Sequence, residues 1–164
     1  MSRLVLSFIQ CLYLLAMISA SFYFEYVVKL TPCLLCVIQR FLVFSLLFFS
    51  FIILYKSYIR VKAVYCYIFS IFISLLGVLL ALRHIWLQKS TAFLVNASCL
   101  PDISYMIKIM PLPEVLLQLV LHGGVGCSEV KWTLLGFSMP EWLLACYVLL
   151  IISYSIGLAM KREL

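Results

Sequence analysis

The chain has 164 residues, of which 66% are hydrophobic and 11% charged, and its mean hydropathy is +1.20. Soluble domains average roughly 45–50% apolar and about 25% charged, so this composition excludes a soluble globule and predicts an integral membrane protein. Twelve Lys and Arg stand against six Asp and Glu, a formal net charge of +6; in so apolar a chain that excess orients spans and does not describe a nucleic-acid surface.

A helix needs about 20 apolar residues to cross ~30 Å of hydrocarbon, and four stretches qualify. The first, 4–24, carries no charge. Ser19-Ala20-Ser21 offers the small residues of a signal-peptide end, but the apolar run exceeds the usual ~7–15 residues and more spans follow, so a retained anchor is expected. A short outer connection, 25–36, ends in Thr31-Pro32-Cys33-Leu34-Leu35-Cys36, and the second span, 37–55, has Arg40 within a turn of its start. Lys56, Arg60 and Lys62 then lead into the third span, 63–82.

The segment 83–141 is of another kind, with four of the five prolines, four of the six glycines and both histidines. Such punctuation breaks regular structure and belongs outside the bilayer core. Within it 113–121, opened by Pro113 and followed by Gly123-Gly124, reads as a short interfacial helix or a small buried one. The fourth span is 142–160. The expected architecture is therefore one integral membrane domain over 1–164: an all-α, four-helix transmembrane bundle with a short outer loop and a long Cys-containing outer loop.

Charge gives the orientation. Arg3, Lys56, Arg60, Lys62, Lys161 and Arg162 lie at the termini and in the 56–62 loop, whereas Glu25, Asp102, Glu114, Glu129 and Glu141 lie in or beside the other two connections. Basic residues in short loops mark the cytoplasmic side, so both termini are expected there. The final Lys-Arg-Glu-Leu is a basic end and not a lumenal retention signal of the KDEL type.

This topology places Cys33, Cys36, Cys99 and Cys127 on the outer, oxidising side, where thiols tend to become disulfides. Cys11, Cys66 and Cys146 fall inside spans and read as small apolar fillers. Cys99 and Cys127 have the bland alternative of a structural staple for the long loop. Cys33-Leu34-Leu35-Cys36 is harder to explain that way, because so short a ring removes little unfolded-state entropy; its value is redox chemistry or metal binding. Zinc held by all four cysteines lacks the paired-knuckle spacing, and Val37 stands where a c-type haem motif needs histidine.

Pro32 and the start of the second span put the dithiol at a helix N-terminus, whose partial positive charge favours the attacking thiolate. Arg40 follows Cys36 by one turn on the same face. An intramembrane arginine costs roughly 2.5–3.5 kcal/mol at midplane, so function is its first reading and snorkelling to headgroups the alternative. Two outer redox pairs need a terminal electron acceptor. Gly123-Gly124-Val125-Gly126 is a flexible approach to Cys127 and not a dinucleotide fingerprint after a strand. A lipid-soluble quinone reached from the bilayer fits, with Arg40 hydrogen-bonded to a ring carbonyl.

The stretch TPCLLCVIQR, 31–40, resembles the P-C-x-x-C-x-x-x-R motif of the disulfide bond formation protein B (DsbB) family, and GCSEVKWTLLGFSMPEWLL, 126–144, is similar to that family's approach to its fourth span. The likeness runs over essentially the whole chain. It implies a bacterial inner-membrane oxidoreductase whose redox loops are periplasmic and which reoxidises a DsbA-like periplasmic thiol oxidase. Cys99 would form the mixed disulfide with that partner, Cys127 would pass electrons to Cys33, and Cys36 would meet ubiquinone or menaquinone beside Arg40, linking membrane lipid and the respiratory quinone pool. His84 and Gln88, four apart after the third span, match the family's polar residues near the quinone head group; a histidine capping a helix is the alternative. Gln39 stands where some members have glutamate, which removes one counter-ion to Arg40. His122 and Trp132 read as loop residues. The competing reading is a non-catalytic membrane assembly or transporter subunit with disulfides as staples, which would not require the dithiol and Arg40 at one helix start.

Overall fold

The structure, a computed structural model, describes residues 2–30, 32–58, 63–89, 111 and 132–162. Cys99, Cys127, His122, the expected helix at 113–121 and the loop cations Arg60 and Lys62 lie outside the described residues.

Among the described residues there are four long helices: α1 (Ser2–Tyr26), α2 (Leu34–Tyr58), α3 (Val64–Lys89) and α4 (Met139–Arg162). All four are long and apolar enough to cross a membrane. Their outward faces carry Phe8, Phe41, Phe48, Phe72, Leu79 and Leu149, all exposed; a soluble bundle would bury such side chains, whereas lipid solvates them. The chain is a four-helix membrane bundle. Helix α4 packs most extensively on α3, and α2 lies against both α1 and α3.

Between the helices Leu14, Val43, Leu46, Tyr67, Tyr147 and Tyr154 make the core. Lipid supplies no hydrophobic drive for helices to associate, so close approach and internal hydrogen bonds matter more. Gly77 provides the approach: a Cβ there would run into the Tyr147 ring. Tyr147 in turn donates its hydroxyl to the Gln39 carbonyl at 3.0 Å. Lower in the bundle Gln10 Nε2 donates to Ser153 Oγ at 2.7 Å, and Ser50 and Tyr154 share a hydrogen bond at 2.5 Å.

The helix ends depart from the expected boundaries, each for a readable reason. Helix α3 continues past Leu82 to Lys89 because its buried stripe, Tyr67, Ser70, Ser74, Gly77, Ala81, His84 and Leu87, keeps the spacing of one helical face. Arg83, His84 and Gln88 therefore stand on a helix and not in the long loop. Helix α4 starts at Met139, ahead of Trp142, because the Glu141 side chain reaches back over the first turn, as in one half of a capping box: the Ser138 backbone N–H and hydroxyl donate to Glu141 Oε2 at 2.7 and 3.1 Å. Before it, Thr133–Leu134 and Phe137–Ser138 pair as strands β1 and β2 of a small antiparallel hairpin. Its turn residues Leu135 and Gly136 both have positive φ, 53° and 83°, as a two-residue hairpin turn with the right twist requires. Helix α1 extends to Tyr26 and so includes Glu25, which the charge pattern had assigned to the outer connection.

Candidate functional site

Pro32 and Cys33 precede α2, and the Cys33 carbonyl accepts from the Val37 N–H at 3.1 Å, which makes Cys33 the N-cap and puts Cys36 on the first turn. The pairing of sulfurs follows from that local geometry. Cys33 Sγ donates to Cys36 Sγ at 3.2 Å. Across the helix interface His84 Nε2 lies 3.8 Å from Cys33 Sγ, and His84 is buried at 3% exposure. Leu35 and Leu87, both fully buried, pack with Cys33 and Leu80 and clamp the start of α2 to the end of α3. The dithiol and the histidine are thus held by helices rather than by a loop.

The dithiol borders a cavity of about 390 Å³ enclosed by α1, the two ends of α2 and α3, the hairpin and α4. Met17, Phe24, Val43, Met139 and Leu143 give it apolar walls, and Cys33, Cys36, Arg40, His84 and Gln88 all reach it. Five of the seven sequence-nominated site residues therefore converge on one chamber, while Cys99 and Cys127 lie outside the described residues.

Arg40 is turned onto α1. Its Nε donates to Ser21 Oγ at 2.9 Å, its Nη1 to Glu25 Oε2 at 2.5 Å, and its guanidinium sits 4.8 Å over the Phe22 ring. All three contacts come from α1. Both side chains of the ion pair are largely covered, at 17% and 27% exposure, so neither charge is left uncompensated in an apolar surround. The counter-ion that Gln39 cannot supply comes from Glu25.

Other wall residues were not among the site residues that the sequence nominates. Trp132, read as a loop residue, stacks edge-on against Phe24 at 4.7 Å and lines the cavity. Cys146, read as a filler, also lines it. Gln39 lies at the wall with 1% exposure, and neither its amide oxygen nor its amide nitrogen has a hydrogen-bond partner. A buried amide left so costs about 1–3 kcal/mol, which a ligand carbonyl or hydroxyl would recover. The hairpin closes the chamber through Leu134, whose carbonyl accepts from Trp142 Nε1 at 3.3 Å.

The sequence model described as disulfide bond formation protein DsbB matches residues 2–156. Among curated proteins, the chain is similar to disulfide bond formation protein B of Stutzerimonas stutzeri, with 36% identity over 80% of each chain. It is 34% identical to disulfide bond formation protein B 1 of Pseudomonas aeruginosa, over 88% of this chain and 85% of that one. The corresponding protein of Marinobacter nauticus is 37% identical over 90% of this chain and 84% of its own. A match spanning all four helices, with identities above 30% along most of each relative, leaves one conclusion: the chain belongs to the DsbB family of disulfide bond formation proteins and is a disulfide-forming oxidoreductase of the membrane.

Proposed function

We propose that this protein reoxidises a DsbA-like periplasmic thiol oxidase and delivers the two electrons to a membrane quinone, ubiquinone or menaquinone, held in the cavity beside Cys36. The observation that carries the reading is the opening of the Cys33–Cys36 dithiol onto an apolar chamber that also contains Arg40. A volume of about 390 Å³ lies in the range of small-molecule sites, roughly 300–1,000 Å³. Apolar walls with Gln39, Arg40, His84 and Gln88 among them suit a flat ring bearing two carbonyls. When bound, a quinone supplies a two-electron, two-proton sink.

The chain's own residues do the rest. A partner thiolate attacks the Cys99–Cys127 disulfide at Cys99; the Cys127 thiolate released attacks the oxidised Cys33–Cys36 disulfide at Cys33, freeing the Cys36 thiolate. The partner's second thiolate then displaces Cys99, which in turn displaces Cys33 and restores Cys99–Cys127. Partner thiols are oxidised to a disulfide, each exchange breaks one S–S bond as it forms another, and the electron pair leaves the protein from Cys36. Arg40 has donors beyond those engaged by Ser21 and Glu25 and can meet negative charge developing on a ring oxygen. His84, at 3.8 Å from Cys33 Sγ, can take or return the thiol proton. The chain's basic residues support cytoplasmic termini in a bacterial inner membrane, with the redox loops periplasmic.

The test is oxidation of a reduced thioredoxin-like partner by the purified full-length protein with and without added quinone. Multiple turnover only with quinone is expected. Undiminished turnover in quinone-free protein, or none with quinone present, overturns the reading.

A further inference from the structure

The fold assembles a donor set that spacing in the sequence did not offer. Zinc on the four outer cysteines is disfavoured by their spacing and by an oxidising compartment, but α3 brings a buried histidine to the dithiol, and the reduced dithiol recurs in each turnover. Cys33 Sγ, Cys36 Sγ and a His84 ring nitrogen lie within 4.8 Å of one another. We propose that the reduced Cys33–Cys36 dithiol and His84 form a three-ligand site for a thiophilic d10 cation, Zn(II) or Cu(I), and that occupancy arrests the dithiol in its reduced state.

The geometry is close to what such an ion requires. Around tetrahedral zinc, with Zn–S of about 2.3 Å and Zn–N of about 2.0–2.1 Å, neighbouring donors stand roughly 3.5–3.8 Å apart. Here the Cys33–Cys36 and Cys33–His84 separations are 3.2 and 3.8 Å and all three donors lie within 4.8 Å of one another, so rotamer adjustments that draw Cys36 and His84 together complete the triangle. Two thiolates and an imidazole are the ligands that soft and borderline ions select over oxygen donors. Cys33 and Cys36 belong to one helix start and His84 to a packed neighbouring helix, so little ordering remains to be done on binding. The fourth coordination position faces the cavity that all three residues line.

Two thiolates cancel a divalent charge, which leaves a zinc-loaded site electrically neutral within apolar walls. Binding replaces two S–H protons: two Zn–S bonds form, two protons leave to solvent, and no electron moves. The site exists only in the reduced protein, because a Cys33–Cys36 disulfide has no thiolate to offer. It goes beyond quinone-linked turnover and does not depend on it, since the ion needs only the reduced dithiol.

The test uses full-length protein reduced with a phosphine, desalted without oxygen, free of quinone and titrated with Co(II), then Zn(II). One equivalent of Co(II) is expected, with intense tetrahedral d–d bands and a two-thiolate charge-transfer band, displaced by Zn(II). The Cys99→Ser/Cys127→Ser double variant should keep that stoichiometry, and Cys36→Ser should lose it. His84→Ala should weaken binding by at least the factor of about 10–100 that loss of an outer-shell partner produces. His84→Cys, which preserves a ligand where alanine disturbs packing, should retain one equivalent and gain the charge-transfer intensity of a third thiolate. Loss of binding in the double variant, undiminished affinity in both Cys36→Ser and His84→Ala, or equal binding by oxidised protein would each overturn the proposal.

Discussion

Arg40 is held by α1 before any ligand arrives, and that changes what its substitution should do. Ser21 and the Phe22 ring orient the guanidinium, while Glu25 neutralises it. Arg40→Leu removes the fork and strands Glu25, so quinone affinity should fall by the equivalent of about 1.5–3 kcal/mol, the worth of a charge-assisted hydrogen bond. Arg40→Lys should fall in between, because a point ammonium cannot reproduce the planar donors. Glu25→Gln should act in the opposite direction. The Ser21 and Phe22 contacts remain, the cation loses its competitor, and kcat/KM for quinone should rise by up to about tenfold, or 1.4 kcal/mol. Steady-state rates at varied quinone concentration check the series. A Glu25→Gln variant as impaired as Arg40→Leu would mean that Glu25 positions the arginine rather than restraining it. The arginine was legible in the sequence because a cation inside an apolar run is costly; its partner was not, because only the packing of α1 on α2 brings Glu25 to it.

At the scale of the elements, hydropathy located the four described helices and misjudged their ends. A charge at Arg83 looked like the membrane edge, yet the buried stripe of α3 continues through His84 and Leu87. The capping-box pattern Ser138-Met139-Pro140-Glu141 stands in the sequence as a helix start and marks the onset of α4 at Met139. The contacts between helices had no such signal. Gly77 looked like any glycine within a span, but its missing Cβ is the space that the fully buried Tyr147 ring occupies. Gly77→Ala should therefore force α4 off α3 and cost about 1–3 kcal/mol, as overpacking does. Tyr147→Phe removes only the hydroxyl bond to the Gln39 carbonyl and should cost about 0.5–1.5 kcal/mol. Thermal unfolding in one detergent compares them. Gly77→Ala as stable as the parent would show that the ring moves aside freely and that this contact does not fix the helix pair.

For the molecule as a whole, the described structure holds one cysteine pair, the dithiol at the cavity, while Cys99 and Cys127 lie outside the described residues. The sequence made both pairs visible because charge bias in the short loops predicts that their connections share one side of the bilayer. It could not show that His84 and Gln88 share the chamber with Cys33, since that follows from α2 and α3 packing through Leu35 and Leu87. If the two pairs work in series, their chemistry is separable. Cys99→Ala should abolish oxidation of the thioredoxin-like partner, yet leave the Cys33–Cys36 dithiol able to be oxidised by quinone. Cys36→Ala should abolish quinone reduction while a single round of exchange between partner and the long-loop disulfide persists. Trapping thiols with a mass tag after single-turnover mixing measures each half-reaction alone. A structural staple predicts another pattern: removing Cys99 would loosen the fold and depress both halves together, along with the unfolding midpoint. Equal loss of both half-reactions in a Cys99→Ala protein of unchanged midpoint would be worse for the relay still, because neither a broken fold nor a missing partner-facing thiol would account for a silent dithiol at the cavity.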